Sequence, residues 1–82
     1  MDRFTGNFER AKVIGLNQVL RGLDEKIIGA VVLAANSDKR LSDKVLEKAR
    51  RADIPVYSFV SKEELGKRCS IDVACAVVGF IK

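Results

Sequence analysis

The spacing of apolar residues changes several times along the chain, which is typical of alternating helices and strands. Near the start, apolar residues recur at helical spacing among charged ones: Phe4, Phe8 and Ala11. This spacing predicts a short amphipathic helix over Thr5 to Val13. A second helical stripe ends near Glu25, and Asn17 stands before it as a good N-cap residue. A brief strand is expected around Val13 to Leu16.

Three later segments have the composition of strands. Ile27 to Ala34 is almost wholly apolar, so it predicts a central strand that is covered on both faces. Val56 to Val60 follows the only proline, Pro55, and its side chains alternate in character as those of a strand do. Cys75 to Ile81 is again almost wholly apolar and predicts a further strand.

Two more helices are expected between these strands. The first ends before Asp53 and has its apolar stripe at Leu41, Val45, Leu46 and Ala49. The second begins at a capping box formed by Ser61 and Glu64 and runs to about Arg68, and Cys69 to Ala74 then form a loop. Helices that alternate with strands imply crossover connections. The predicted fold is therefore α/β, a three-layer α/β/α sandwich with a mixed, mostly four-stranded sheet.

Composition narrows the class of protein. The 82 residues suffice for one compact domain, so residues 1–82 are expected to form a single domain. Lys and Arg number 15 against 11 Asp and Glu, and the formal net charge is +4. This balance favours a polyanionic partner, which on charge alone could be RNA, DNA or an acidic membrane. No apolar run is long enough to cross a bilayer, so a soluble, cytoplasmic protein is expected.

The chain has few residues suited to catalysis or metal binding. It contains no histidine, the commonest general base near neutral pH and a member of the usual nucleophile pairs. Neither a GxGxxG nor a GxxxxGK(S/T) motif is present, so no dinucleotide turn or phosphate-cradling loop is indicated. Cys69 and Cys75 are too few for a zinc site and are interpreted as buried free thiols. We therefore expect a non-enzymatic protein without cofactor or metal.

Polar and basic residues gather in three predicted turn regions. Asn17, Gln18 and Arg21 lie at the start of the second helix, where free backbone N–H groups can receive a phosphate. Lys39 and Arg40 follow the central strand. Two cations and two aliphatic residues flank the last loop: Lys67, Arg68, Ile71 and Val73. Amide side chains that read base edges, cations for phosphates and aliphatic residues for an unstacked base together suit folded RNA.

Each of these residues also has a structural interpretation that needs no RNA. Asn17 can serve only as a helix cap, and the cations can be solvated surface charges. Ile71 and Val73 can complete the core, and Gly66 is interpreted as a helix-terminating residue. Two other functional classes stay open. One is a protein-interaction module, marked by an exposed apolar patch on a helix, and the other is a small enzyme that acts on RNA.

Four stretches resemble one known family. Gly15 to Arg21, GLNQVLR, resembles its G-x-N-E-x-x-K signature, and Ser61 to Cys69, SKEELGKRC, resembles its S-K-x-E-L-G-x-A-C signature. Between them, Ala30 to Ala34 and Ile54 to Tyr57 keep the family's spacing without gaps. Together the stretches resemble the kink-turn-binding ribosomal-protein family of the L-seven-Ae and L-thirty-e type, and most of all its short bacterial members.

The resemblance implies a three-layer sandwich that binds kink-turn RNA, a bent duplex with exposed tandem sheared G·A pairs. It places Asn17 and Gln18 at the guanines of those pairs and Arg21 beside them, and Gly15 would permit close backbone approach. Ile71 and Val73 would pack beside an extruded nucleotide. The implied partner is a ribosomal RNA or a riboswitch, bound by a monomer that is a ribosome component or acts on another transcript.

Five positions depart from the family pattern, and two of them, Ala35 and Lys39, differ from the acidic and prolyl residues frequent in the central turn. Gln18 replaces a Glu but keeps a carbonyl acceptor for a guanine amine. Arg21 replaces a Lys, which keeps the charge and changes the donor geometry. Ser70 replaces a Gly, so the loop would change shape if this position requires a positive φ. These departures bear on which RNA is bound.

Overall fold

Four strands and three helices alternate along the chain, and the computed structural model describes all 82 residues. The strands are β1 (Lys12–Ile14), β2 (Ile28–Ala34), β3 (Val56–Phe59) and β4 (Val77–Ile81). The helices are α1 (Leu16–Asp24), α2 (Lys39–Arg51) and α3 (Lys62–Arg68). The longest helix has 13 residues, and none of the three is long and apolar enough to cross a membrane. The four predicted strands are therefore confirmed, and so are three of the four predicted helices.

The strands form one mixed sheet in the order β1-β4-β2-β3. β2 pairs with β3 in parallel, and β4 runs antiparallel to both β1 and β2. Val32 of β2 lies between Tyr57 of β3 and Val78 of β4. β2 is thus an inner strand, which agrees with the central strand predicted from its nearly continuous apolar sequence.

Each face of the sheet carries its own hydrophobic cluster. α1 and α2 pack over one face, where the strands contribute Ile28, Val31, Leu33 and Val77. α3 and the N-terminal segment cover the other face, where the strands contribute Val32, Ala34, Val78 and Phe80. Neighbouring residues of β2 alternate between the clusters, because successive side chains of a strand point to opposite faces. This arrangement is the predicted three-layer α/β/α sandwich.

The N-terminal segment is not the helix that the sequence predicts over Thr5 to Val13. Residues 2–4 run extended beside β3, where Phe4 N donates to Ser58 O and Ser58 N donates to Asp2 O, both at 2.8 Å. Phe4 and Phe8 still pack edge to face, with ring centroids 5.0 Å apart. A helix of about nine residues is marginal by itself, whereas the edge of β3 supplies backbone partners. The predicted helix is wrong, although both phenylalanines are buried.

Both cysteines are free thiols buried in the cluster on the α3 face. Burial raises the pKa of each thiol, because the thiolate would lose its solvation. The Cys75 thiol donates a hydrogen bond to Val77 O at 3.2 Å. Buried, weakly acidic thiols agree with their interpretation as small apolar core residues.

Candidate nucleic-acid interface

The turns that carry the predicted site residues meet at one end of the sheet. β1, β2 and β3 finish at this end and β4 begins there, because β4 is antiparallel to its neighbours. Three backbone hydrogen bonds that involve residues 75–77 join the turns: Gly15 N donates to Val77 O at 3.1 Å, Ala34 N donates to Ala76 O at 2.8 Å and Cys75 N donates to Lys62 O at 2.9 Å. We call this the junction end of the sheet.

Helix α1 begins at the junction end without a capping side chain. Its N-cap is Gly15, with φ 98° and ψ 160°, and its first turn contains no acidic residue. Residues other than glycine rarely adopt this backbone conformation. Space is not the constraint, since a Cβ on Gly15 would have no atom within 4 Å. The glycine is therefore required by the backbone conformation, and the space beside it is open.

The first turn of α1 also leaves hydrogen-bonding groups without partners in the protein. The backbone N–H groups of Leu16, Asn17 and Gln18 have no acceptor in the fold. The side chains of Asn17 and Gln18 are exposed and form no hydrogen bond. The prediction of Asn17 as the N-cap is wrong, because the helix begins one residue before it. The Asn17 amide is consequently free for an outside partner.

Cations stand near the start of all three helices. Arg21, one turn into α1, is exposed and forms no ion pair. Lys39 and Arg40 are the first two residues of α2, and they too are exposed and unpaired. Lys62 is the first residue of α3 and is likewise exposed and unpaired. It was not predicted from the sequence. Its place directly after the Ser61 N-cap was the signal that could have identified it.

The starts of α2 and α3 differ from that of α1 because their own side chains cap them. Asp38 Oδ1 accepts from Arg40 N at 2.8 Å. Ser61 Oγ accepts from Glu64 N at 3.1 Å, the serine half of the predicted capping box. Each of these two helix starts therefore has a backbone N–H that is satisfied by a side chain of the fold.

Asn36, in the turn after β2, adds a second support at the start of α3. Its Oδ1 accepts from Lys62 N at 2.8 Å, and its Nδ2 donates to Glu63 Oε1 at 3.1 Å. The bond from Asn36 is the main reason that the pKa of the Glu63 carboxyl lies below its ordinary value of 4.5. Asn36 therefore ties the β2–α2 turn to α3.

The loop between α3 and β4 presents one of its two aliphatic candidates to solvent. Val73 is 68% exposed, whereas Ile71 is half-buried against the cluster on the α3 face. The loop packs on Gly66, where a Cβ would collide with Val73 O. Gly66 is buried inside α3, so its interpretation as a helix terminator is wrong.

Ser70 has φ 61° and adopts the left-handed conformation without a glycine.

Lys67 and Arg68 are not brought to the junction end. α3 begins there, so its last turn, which contains both residues, points away. Lys67 pairs with Glu64 at 3.7 Å, and the Arg68 guanidinium lies 5.3 Å from the centre of the Phe8 ring. Both cations already have partners in the fold.

The junction end thus combines unpartnered amides, free N–H groups, exposed cations and one apolar side chain. Such a surface can hold phosphates, read the hydrogen-bonding edges of bases and pack on an unstacked base. No group of three or more His, Cys, Asp or Glu side chains in the structure could hold a metal ion.

Comparison with known protein families and sequences gives consistent matches. The family described as "Ribosomal protein L7Ae/L30e/S12e/Gadd45 family" matches residues 9–82. The chain is 39% identical over 70 residues to "RNA-binding protein GWCH70_0105" of Geobacillus sp. (strain WCH70), with 85% of each chain covered. It is 36% identical to "RNA-binding protein YbxF" of Geobacillus stearothermophilus, with the same coverage.

Comparison with solved structures agrees on the fold. The "Giardia lamblia 15.5kD RNA binding protein" superposes with a TM-score of 0.82 at 23% sequence identity. The superposition covers 88% of this chain and 61% of that one. The chain thus matches a little under two thirds of the length of the Giardia structure and has the same architecture over that part.

Proposed function

The chain belongs to the ribosomal protein L7Ae/L30e/S12e/Gadd45 family, and from this premise we propose that it is a non-enzymatic RNA-binding protein that recognises kink-turn RNA. The observation that carries the proposal is the start of α1. There, free N–H groups and two unpartnered amide side chains face solvent at the junction end. The relatives named RNA-binding proteins support the same class of partner.

In the proposed complex, the start of α1 meets the sheared G·A pairs of the kink-turn. The side-chain oxygens of Asn17 and Gln18 would accept hydrogen bonds from guanine amines. The free N–H groups beside Gly15 would receive a phosphate, because the positive end of the helix dipole favours an anion. The open space around Gly15 allows the RNA backbone to come close.

The remaining residues of the junction end would hold the RNA around that contact. Arg21, Lys39, Arg40 and Lys62 are exposed cations without acidic partners and would bind phosphates. Val73 would pack beside an extruded nucleotide, and Ile71 would support the loop from inside. Lys67 and Arg68, which already have partners, would contribute mainly to the long-range positive field.

We further propose that the RNA is a ribosomal RNA or a riboswitch and that a monomer of a single domain binds it in the cytoplasm. The protein-interaction alternative would be marked by an apolar patch on a helix. The four large hydrophobic residues that are exposed all lie outside the helices: Met1, Ile27, Val60 and Val73. RNA is therefore the better-supported partner.

A gel-shift titration tests the proposal. The protein is titrated, at fixed salt and magnesium, against a kink-turn duplex and a matched duplex whose sheared G·A pairs are replaced by Watson–Crick pairs. Strong preference for the kinked RNA is the expected result. Equal weak binding to both duplexes would mean that only net charge acts, and a protein partner would then become the leading alternative.

A further inference from the structure

The two flanks of α2 differ in charge. On the flank that faces β3, three acidic residues and one cation line an open groove: Asp43, Glu47, Asp53 and Arg50. Residues three or four apart lie near one another on a helix surface, and this spacing collects four cations toward α1, of which the last pairs with Glu47 at the border between the flanks: Arg40, Lys44, Lys48 and Arg51. A polyanion would therefore be attracted to the α1 side of the helix and not to the β3 side.

Helices α1 and α2 lie side by side, and both begin at the junction end. Near their far ends Lys48 of α2 pairs with Asp24 of α1. One turn nearer to the junction end, helical periodicity puts Arg21 on the same side of α1 and Lys44 on the same side of α2. Both are exposed and form no ion pair. A contact of opposite charges is thus followed, one turn nearer to the junction end, by one exposed cation on each helix.

Two neighbouring cations without an acidic partner raise the free energy of the unbound protein, and a bound polyanion would relieve that cost. The basic side of α2 extends from Arg40 at the junction end to Arg51. At the rise of an α-helix this is ~16 Å. The basic side of α2 therefore extends well beyond the residues that would contact the kink itself.

We infer that the neighbouring faces of α1 and α2, which carry the cations Arg21, Arg40, Lys44 and Lys48, extend the phosphate-binding surface and hold the backbone of an RNA stem leaving the kink. The inference rests on the proposed function and extends it to a part of the RNA outside the sheared pairs. Lys48 and Arg51 have acidic partners, Asp24 and Glu47. Lys44 has none, and unlike Arg21 and Arg40 it is not among the cations proposed to hold the kink, so its removal tests the inference most directly.

The test compares Lys44→Ala with Arg50→Ala. Both substitutions remove one positive charge from α2, but Arg50 lies on the flank that faces β3. Dissociation constants are measured by fluorescence anisotropy at several salt concentrations. The ligands are a minimal kink-turn and two versions in which one stem or the other is one helical turn longer. Thermal unfolding of each variant verifies that it is folded.

The wild-type protein is expected to bind one of the long-stem RNAs more tightly than the minimal RNA. Lys44→Ala should lose that gain, about threefold in affinity for one exposed charge contact. The slope of log affinity against log salt should fall by about 1. Arg50→Ala should keep both the gain and the slope, and Lys44→Glu should lose more than Lys44→Ala.

Two results would overturn the inference and leave the proposed function standing. One is an equal loss in Lys44→Ala and Arg50→Ala, which would reflect net charge alone. The other is a wild-type protein that gains nothing from either longer stem. If instead the wild-type protein does not distinguish the minimal kink-turn from its Watson–Crick control, the proposed function fails and this inference fails with it.

Discussion

The starts of α1 and α3 lie at the same end of the sheet but are built in opposite ways. At α3, Ser61 and Asn36 accept hydrogen bonds from the backbone N–H groups of Glu64 and Lys62. At α1, a glycine stands in the N-cap position and no side chain accepts from the first turn. The protein itself supplies acceptors for the first backbone N–H groups of α3, whereas those of α1 are free for solvent or a ligand.

The capped start of α3 therefore stabilises the fold, whereas the uncapped start of α1 can bind a ligand. Side-chain caps contribute about 1 kcal/mol to stability, so the uncapped start of α1 forgoes a stabilisation that α3 has. In exchange, three backbone N–H groups and two amide side chains stay accessible to a ligand. Substitutions at the two helix starts should therefore affect different properties, stability at α3 and RNA binding at α1.

The largest effect is expected from Gly15→Ala, because it changes both properties at the uncapped start. A non-glycine residue held at φ 98° should reduce the free energy of unfolding by about 1–3 kcal/mol. Any relaxation of the strain would tilt the start of α1 and weaken kink-turn binding as well. Urea unfolding and the gel-shift titration measure the two losses.

A D-alanine at position 15 is the matched control for Gly15→Ala. It adds a methyl group of opposite chirality, which favours positive φ. The D-alanine protein should behave like the wild type. An L-alanine protein of unchanged stability would show that the backbone conformation at Gly15 is not costly.

Asn17→Ala should affect binding alone. The side chain has no partner in the fold, so stability should change by no more than about 0.5 kcal/mol. The loss of an amide contact with a base edge should cost about 1–3 kcal/mol of binding free energy. The gel-shift titration and thermal unfolding give both values. A clear loss of stability would instead mark Asn17 as structural.

Ser61→Ala should show the opposite behaviour. Loss of the bond from Glu64 N to Ser61 Oγ should lower the free energy of unfolding by about 1 kcal/mol. Kink-turn affinity of the folded protein should stay as in the wild type, since Ser61 caps a helix inside the fold. Chemical denaturation with an affinity measurement at low temperature makes the comparison. Weaker binding by a stably folded variant would place Ser61 at the RNA.

The smallest effect is expected from Asn36→Ala, which removes the second support of α3. The hydrogen bond from Asn36 lowers the Glu63 pKa, so this stabilisation is present above the unfolded-state pKa and is lost as pH falls through the folded-state pKa. In the variant the Glu63 pKa should rise toward 4.5, its ordinary value. NMR titration of the Glu63 carboxyl measures it, and an unchanged titration would contradict the assigned hydrogen bond.

Local patterns predicted most of the secondary structure. Ile28–Ala34 is a central strand because a nearly continuous apolar segment needs cover on both faces. Ser61 caps α3 because a serine three residues before a glutamate favours that geometry. The failure over Thr5 to Val13 has a tertiary cause. Phe4 and Phe8 have helical spacing, but Asp2 and Phe4 bond to the edge of β3, which is distant in sequence.

The candidate site was only partly predictable for the same reason. Asn17, Gln18 and Arg21 were identified from a local signature, and the structure places the two amides on the exposed first turn of α1 and Arg21 one turn further along. Lys67 and Arg68 are local neighbours of the loop, yet the direction of α3 carries them away from the junction end. Lys62 was missed because its nearness to Gly15 and Ala34 depends on the strand order and not on the chain order.

The sequence by itself determined the alternation of elements, the two-sided burial of β2, the positive charge and the residues of the family signatures. These properties depend on side-chain periodicity and composition, which are local. Only the tertiary structure decided which turns meet at the junction end, that Gly15 and not Asn17 is the N-cap of α1, and which cations stay without partners. Those properties depend on strand pairing and helix packing, which bring together groups far apart in the chain.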